Sequence, residues 1–447
     1  MIQTDLIIIG AGPGGYETAS RAAEKGLNTV IIEKEALGGT CLNAGCIPTK
    51  CLCRNAEILD YAKDAATYGI NLGDVNFNFQ SAIERKNEVV EKLKNGIGML
   101  LKSPGITLVH GEAKLLDKNH VEVNGEQYSA SHIIIATGSI TKFLPIEGAH
   151  VQGVVTSTEM LNLEKLPERL CIIGGGVIGM EFASIFNSFG SNVEVIEFCK
   201  EILPPFDRDI AKRLRTTLKK KGISFHLSSA AKAIHPGECL NVEFEEKGKS
   251  QSIETDLVLM AVGRVPNLNS INLDDIGIDY TPKGIKVNNH MQTNVPNIYA
   301  IGDINGLCQL AHAATFQGYA ALEHILGDDT HYADSLKVIP SAVFTNPEAA
   351  MVGKTEESLT EEGITYKTYK SFFRANGKAL SMNEEEGIVK VLVDENGQIV
   401  GAHILGAHAS DLIHEIAIMM QNKIPFKELL QTIHAHPSLS EVFLSMK

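Results

Sequence analysis

Residues 5–34 read DLIIIGAGPGGYETASRAAEKGLNTVIIEK, and residues 169–198 read RLCIIGGGVIGMEFASIFNSFGSNVEVIEF. The two align without a gap at an offset of 164 residues, with Gly10, Gly12, Gly15, Glu17, Ala19, Gly26 and Glu33 matching Gly174, Gly176, Gly179, Glu181, Ala183, Gly190 and Glu197. In each copy an apolar strand runs into G-x-G-x-x-G, a helix-length segment follows, and a second strand ends in a glutamate 23 residues after the first glycine. The first glycine permits the tight turn, the second lets backbone approach a pyrophosphate, and the third lets helix pack on strand. The helix N-terminus then faces the phosphates. Each copy therefore reads as a βαβ dinucleotide fold. Glu33 and Glu197 stand where a carboxylate accepts hydrogen bonds from ribose hydroxyls, and at Glu197 it would repel a 2′-phosphate, so the second site is expected to prefer NAD over NADP.

Outward from this repeat, IIIATGS at 133–139 and LVLMAVGR at 257–264 are expected to be buried strands ending in small residues. NIYAIGD at 297–303 ends a third strand in Gly302 and Asp303, whose carboxylate could bind a ribityl hydroxyl or cap a helix. The chain has 447 residues, enough for about three domains. Its acidic balance, 40 Lys and Arg against 54 Asp and Glu, offers no basic stretch to neutralise a phosphate backbone, so no nucleic-acid partner is expected. No run is long and apolar enough to cross a bilayer, and the first apolar run follows no basic n-region, so no membrane association and a cytoplasmic location are expected.

Four of the eight cysteines crowd into LGGTCLNAGCIPTKCLC at 37–53, directly after the first βαβ unit. Cys41 and Cys46 are five residues apart, a separation that a locally distorted helical segment can close to disulfide range. Lys50, four residues past Cys46, shares its face if the stretch is helical and favours a thiolate there. A reactive dithiol is the expectation. Its rival takes Cys41, Cys46, Cys51 and Cys53 as ligands of zinc or an iron–sulfur cluster, although C-x4-C-x4-C-x-C lacks the C-x2-C knuckle of common zinc sites. No metal is assigned. Cys51, Cys53, Cys171, Cys199, Cys239 and Cys308 are read as small apolar fillers.

The motifs LIIIGAGPGGY, GGTCLNAGCIPTK, IIIATGS, GGGVIGME, AVGRVPN, IYAIGD, LAHAA and HAHPSLSE occur in the order found in the flavoprotein disulfide reductases, and the chain resembles this family of pyridine nucleotide-disulfide oxidoreductases over essentially its whole length. The resemblance implies an α/β fold with two Rossmann-like dinucleotide-binding domains, for FAD and NAD, plus a C-terminal α+β interface domain that makes a homodimer. The expected division is an FAD-binding domain with the redox-active disulfide at 1–145, an NAD-binding domain at 146–264, a central domain completing the FAD site at 265–336, and the interface domain at 337–447.

By resemblance, Gly10, Gly12, Pro13, Gly14, Gly15, Glu33, Lys34, Thr40, Lys50, Ala113, Thr137, Gly138, Ser139, Gly302, Asp303, Leu310, Ala311, His312 and Ala313 would hold FAD. Gly174, Gly175, Gly176, Val177, Ile178, Gly179, Glu181, Glu197, Ala231 and Gly263 would hold NAD. Cys41 matches the interchange thiol and Cys46 the thiol against the flavin, with Lys50 and Glu181 beside the redox path. His436 and Glu441 match an acid/base pair that serves the other subunit. The implied reaction is oxidation of dihydrolipoamide to lipoamide with reduction of NAD+, on the lipoyl protein of a 2-oxoacid dehydrogenase or glycine cleavage complex. Reduction of another small disulfide, or a mainly docking role in a multienzyme complex, stay as alternatives.

The residues by themselves say less about the C-terminal pair, because a five-residue separation exceeds the usual helical pairing and a loop must bring the two together. His434, His403, His408 and His414 are expected to be structural or solvent-facing. The chain also departs from relatives within the family. It lacks the arginine pair with which NADPH-using glutathione reductases hold the extra phosphate, Val177 replaces their gating tyrosine, and FLSMK ends without the cysteine pair of mercuric reductase. Thr49, Ala313 and Gln317 differ from the residues usual at their positions, which leaves substrate tuning open but not the fold.

Overall fold

The strand Ile2–Ile9 is buried on both faces. Leu6 and Ile8 enter one core with Ile31, Ile134, Tyr299 and Ile301, while Ile7 and Ile9 enter another with Val30, Ile32, Ile133, Ile135 and Ile298. A strand sandwiched in this way reads as an uninterrupted apolar run, which is what DLIII and HIIIA present. The structure, a computed structural model, describes residues 1–328 and 332–447.

The chain forms two compact units, each built from three separate stretches. The first comprises residues 1–51, 84–142 and 264–337. Its main sheet runs Ile106–His110, Thr29–Glu33, Ile2–Ile9, Glu126–Ile135, with Ile298–Ala300 added in parallel to Glu126–Ile135 and a short antiparallel extension through His120–Val123 and Ala113–Leu115. The first βαβ unit is Ile2–Ile9, the helix Pro13–Glu24 and Thr29–Glu33. Ser139–Thr141 pairs antiparallel with Arg264–Pro266.

The second unit comprises residues 52–83, 143–263 and 338–447. Its parallel sheet runs Ser224–Leu227, Asn192–Glu197, Arg169–Ile173, Leu257–Met260, Val154–Val155, so third, second, first and fourth strands lie side by side as in the first unit. This is the order of a mononucleotide-binding half of a doubly wound fold. A three-stranded antiparallel sheet, Ser229–His235, Leu240–Glu246 and Lys249–Thr255, follows.

The remainder of this unit is a five-stranded antiparallel sheet ordered Ser341–Val343, Glu348–Gly353, Ile399–Gly406, Ile388–Asp394, Tyr366–Phe372. The helix Ala409–Gln421 lays Leu412, Ile413 and Ile416 on it, against Val352, Val391 and Ile404. The segments IVKVLV and IVGAHILG lie in strands of this sheet, DLIHEIAIMMQ lies in the helix Ala409–Gln421, and PFKELLQTI contains the helix Phe426–Gln431. Among the described residues no helix is long and apolar enough to cross a membrane.

Candidate functional site

The sequence repeat persists as a repeat of geometry. Gly10 and Gly174 have φ of 108° and 112°, and a Cβ on either would lie 2.4 or 2.3 Å from the carbonyl oxygen of Ala136 or Ala261 in the neighbouring strand. Gly15 and Gly179 press on the carbonyls of Gly10 and Gly174, where a Cβ would approach to 1.9 and 2.0 Å. The middle glycines differ: a Cβ on Gly12 or Gly176 would meet nothing within 4 Å. Both loops are thus open at the position where a pyrophosphate approaches the helix N-terminus, and both fit a dinucleotide.

Each second strand ends in a buried glutamate. Glu33 accepts from the Ala11 N–H at 2.7 Å and the Glu35 N–H at 2.8 Å, and Glu197 accepts from the N–H groups of Gly175 and Cys199. Cys199 is exposed, so it is a loop residue and not an apolar filler; Cys171, by contrast, lies in the sheet core.

Around the first loop, Ser139 Oγ donates to Asp303, and Thr137 Oγ1 is buried with no hydrogen-bond partner among the described residues, as a ligand-facing hydroxyl in an FAD site would be. Asp303 belongs to the turn Gly302–Asn305. Gln317 Oε1 fixes that turn by accepting from the Gly302 N–H at 2.7 Å and from Asn305 Nδ2 at 2.9 Å. Gln317 and Ala313 are both buried in the helix Ala311–Leu326, so their departures from the usual residues are absorbed inside the first unit. Ala113 is buried in its strand, and Lys34 reaches Glu35 and Glu112 at 3.9 and 3.8 Å.

Cys41 lies in the short helix Gly39–Ala44, and Cys46 opens the next helix, Cys46–Lys63. Gly45 breaks them apart with φ −150° and ψ −110°, and a Cβ there would sit 3.0 Å from the Thr40 carbonyl. This is the local distortion that the five-residue separation requires. The Cys41 and Cys46 side chains are in hydrogen-bonding contact. That hydrogen bond pushes the Cys41 thiol up, and burial adds to it, while the Lys50 ammonium pulls the other way. Thr49 Oγ1 donates to the Gly45 carbonyl at 2.7 Å, so the hydroxyl it shares with serine does the bonding.

Arg264 is a residue that sequence reasoning missed, although AVGRVPN contained it. Its guanidinium donates to Ser139 Oγ at 2.8 Å and to the Ser139 carbonyl at 2.6 Å. Burial lowers its pKa, and the charges of Asp303 and Cys46 act in the opposite sense. The first unit thereby sets a fixed positive charge near the dithiol.

In the second unit, Val177 and Ile178 open the helix Val177–Phe189, where Glu181 is buried and accepts from the Phe344 N–H at 3.0 Å. Ala231 sits at a register shift in its strand, and Gly263, with φ of 105°, borders open space.

The structure brings His436 and Glu441 together. His436 Nδ1 lies 3.0 Å from Glu441 Oε1, and Glu441 Oε2 accepts from the Ser438 N–H at 2.9 Å, the first turn of the 3-10 helix Leu439–Ser445 bringing the carboxylate back to the ring. Glu441 is held below the usual carboxylate range by the Ser438 N–H and by His436. With Nδ1–H donating to Glu441, Nε2 is the basic nitrogen of the neutral ring. The His436 side chain is 81% exposed, beside a cavity of about 230 Å³ lined by Phe372, Asn376, Glu441 and Leu444. His434 is not solvent-facing: its side chain is 7% exposed and bonded to Glu415.

Comparison with known proteins agrees with these features. Residues 4–318 match the family model for pyridine nucleotide-disulphide oxidoreductases, and residues 339–447 match that family's dimerisation domain. The chain is 41% identical over 449 residues to a dihydrolipoyl dehydrogenase of Bacillus subtilis (strain 168), covering 99% of this chain and 95% of the relative. It is 40% identical to the mitochondrial dihydrolipoyl dehydrogenase of Pisum sativum, covering 98% and 90%, and 40% identical to leghemoglobin reductase of Glycine max, covering 98% and 86%. Among solved structures, the HOCl-induced flavoprotein disulfide reductase RclA from Escherichia coli superposes with a TM-score of 0.89 at 32% identity, covering 99% of both chains. The chain belongs to the pyridine nucleotide-disulphide oxidoreductase family.

Proposed function

We propose that the protein is an FAD- and NAD-dependent dihydrolipoyl dehydrogenase: it oxidises dihydrolipoamide to lipoamide and reduces NAD+ to NADH. The observation that carries this reading is the contacting Cys41–Cys46 thiol pair directly after the first nucleotide loop, in a chain matched end to end by dihydrolipoyl dehydrogenases. The open loop at Gly12, the unpartnered Thr137 hydroxyl and Asp303 support FAD in the first unit. The loop at Gly176 with Glu197 supports NAD in the second.

In the dithiol reaction, Nε2 of neutral His436 takes the proton from one substrate thiol as its sulfur attacks Cys41 of the Cys41–Cys46 disulfide. A substrate–Cys41 disulfide forms and Cys46 leaves as the thiolate, near the Arg264 charge. The second substrate thiol then displaces Cys41 and releases lipoamide. Glu441 holds the His436 tautomer and stabilises the imidazolium. FAD, held at the Gly12 loop with Thr137 and Asp303, would supply the two-electron redox chemistry that links the dithiol to NAD+.

The match to a dimerisation domain supports a homodimer in which His436 serves the partner's dithiol, and the substrate is then the lipoyl group of a 2-oxoacid dehydrogenase or glycine cleavage complex. A cytoplasmic location accords with this role. The test is NADH oxidation by the flavin-loaded protein with lipoamide and with glutathione disulfide, repeated with NADPH. Turnover with lipoamide and NADH alone is expected. Turnover with glutathione disulfide or NADPH instead would keep the dithiol chemistry and replace the substrate.

A further inference from the structure

Within the subunit the His436 ring is mostly exposed, so packing inside the chain does not hold it, and residues 432–438 that carry it form neither helix nor strand. A general base must nevertheless be held in a defined position, because a misplacement of about 1 Å can cost on the order of 10²-fold in rate. The structure supplies an anchor outside the pair. Glu415 projects from the helix Ala409–Gln421, which is locked into the core by Leu412, Ile413 and Ile416. One of its carboxylate oxygens lies 3.1 Å from His434 Nε2, and the other accepts from Ser440 Oγ at 2.6 Å. His434 precedes His436 by two residues, and Ser440 immediately precedes Glu441. A single carboxylate on a rigid helix therefore ties down both ends of the segment that presents the acid/base pair.

The remaining contacts point the same way. His434 Nδ1 donates to the Thr432 carbonyl at 2.9 Å, which fixes the ring and directs Nε2 at Glu415. The His434 ring packs against the fully buried Phe443. Asn376 Nδ2 donates to the Ser438 carbonyl at 3.0 Å, holding the middle of the segment.

We propose that Glu415 is a positioning residue for dithiol oxidation: through His434 and Ser440 it clamps the segment carrying His436 and Glu441. This rests on His436 being the base, and the test separates the two. Glu415→Ala, Glu415→Gln, Ser440→Ala and His436→Ala are made in the flavin-loaded enzyme. Each is assayed for dihydrolipoamide oxidation and for NADH oxidation by ferricyanide, which draws electrons without the substrate dithiol.

Glu415→Ala is expected to lower kcat for dihydrolipoamide by about 10- to 100-fold. Its ferricyanide activity and its KM for NAD+ should stay at the parent values. Ser440→Ala, which removes one arm, should fall between Glu415→Ala and the parent. Glu415→Gln should recover most of the lost activity, because an amide still accepts from Ser440 and donates to His434 Nε2. The clamp is overturned if Glu415→Ala keeps parental kcat while His436→Ala loses it. It is equally overturned if both activities of Glu415→Ala fall together, which would mean a general loss of structure. If His436→Ala itself keeps dihydrolipoamide turnover, the assignment of the base fails, whatever Glu415 does.

Discussion

Glu33 and Glu197 make the same two hydrogen bonds: each accepts one from the backbone N–H 22 residues before it and one from the N–H two residues after it. The carboxylate ties the glycine loop to the end of the second strand, the place at which a dinucleotide fold presents an acid to a ribose. For Glu197 this predicts cofactor choice. Hydrogen bonds to charged groups are worth about 1.5–3 kcal/mol, so Glu197→Ala should raise the KM for NAD+ by about tenfold or more. Loss of the negative charge should also raise the ratio of NADPH to NADH activity in lipoamide reduction. An unchanged ratio would remove Glu197 from cofactor discrimination.

Glu441 holds two donors, the Ser438 N–H and His436 Nδ1–H, on its two oxygens. A glutamine has one carbonyl oxygen, so Glu441→Gln must either lose the Ser438 bond or present its NH2 to Nδ1, which moves the ring proton to Nε2 and removes the base. Dihydrolipoamide oxidation should then fall by about 10²–10⁴-fold. Because the Ser438 N–H and His436 hold the Glu441 carboxyl below the usual carboxylate range, it stays anionic as pH falls to that range. The acid limb of the kcat/KM profile should therefore survive in the residual activity of Glu441→Gln and disappear in His436→Ala. An acid limb lost in Glu441→Gln would reverse this assignment.

The nucleotide loops were legible in the sequence because each requirement is local: a strand, a turn that only glycine can make beneath the Ala136 or Ala261 carbonyl, and an acid at fixed distance. The dithiol was legible for the same reason, and Gly45 provides the break in the helix. Non-local pairing was not. Ile298–Ala300 joins the first sheet by pairing with Ile133–Ile135, and residues 52–83 join the second unit; neither association leaves a mark in local periodicity. Arg264 and Glu415 were missed because a charged residue alone carries no geometry. Their partners Ser139, His434 and Ser440 are defined only once the strands and helix have packed. His434 and His403 were expected to be structural or solvent-facing, and both are enclosed, with partners that the sequence does not show.

Lys390 and Asp207 are both fully buried, with the ammonium 2.8 Å from each Asp207 oxygen and also bonded to Glu356. Asp207 further caps the helix Arg208–Lys220 through the Asp209 N–H. Removing one member strands a charge without water, which costs about 3–5 kcal/mol. Lys390→Met should lower unfolding stability by that amount, measured as a shift in urea midpoint. Lys337→Met, which breaks the exposed pair with Asp334, should change it by less than about 1 kcal/mol. Equal effects would mean that water reaches Lys390.

His403 predicts how stability depends on pH. The ring is fully buried in the strand Ile399–Gly406, with Nε2–H donating to the Lys354 carbonyl at 2.9 Å and Nδ1 without a hydrogen-bond partner among the described residues. Burial pushes its pKa below the ordinary value, outweighing the pull of Asp207 and Glu357 toward the charged form, while Lys390 adds to the lowering. The unfolded chain therefore binds a proton that the folded chain refuses, and stability is full above about pH 6.5 and declines as pH falls below it toward the folded pKa. The limiting slope for one proton is about 1.4 kcal/mol per pH unit. His132 and His324, lowered chiefly by burial in the first unit, add slope of the same sign. In His403→Gln, whose amide can still donate to Lys354, urea midpoints between pH 7.5 and 5 should decline less steeply than in the parent without reaching zero slope. A slope as steep as the parent's would show that His403 takes up its proton within the folded protein.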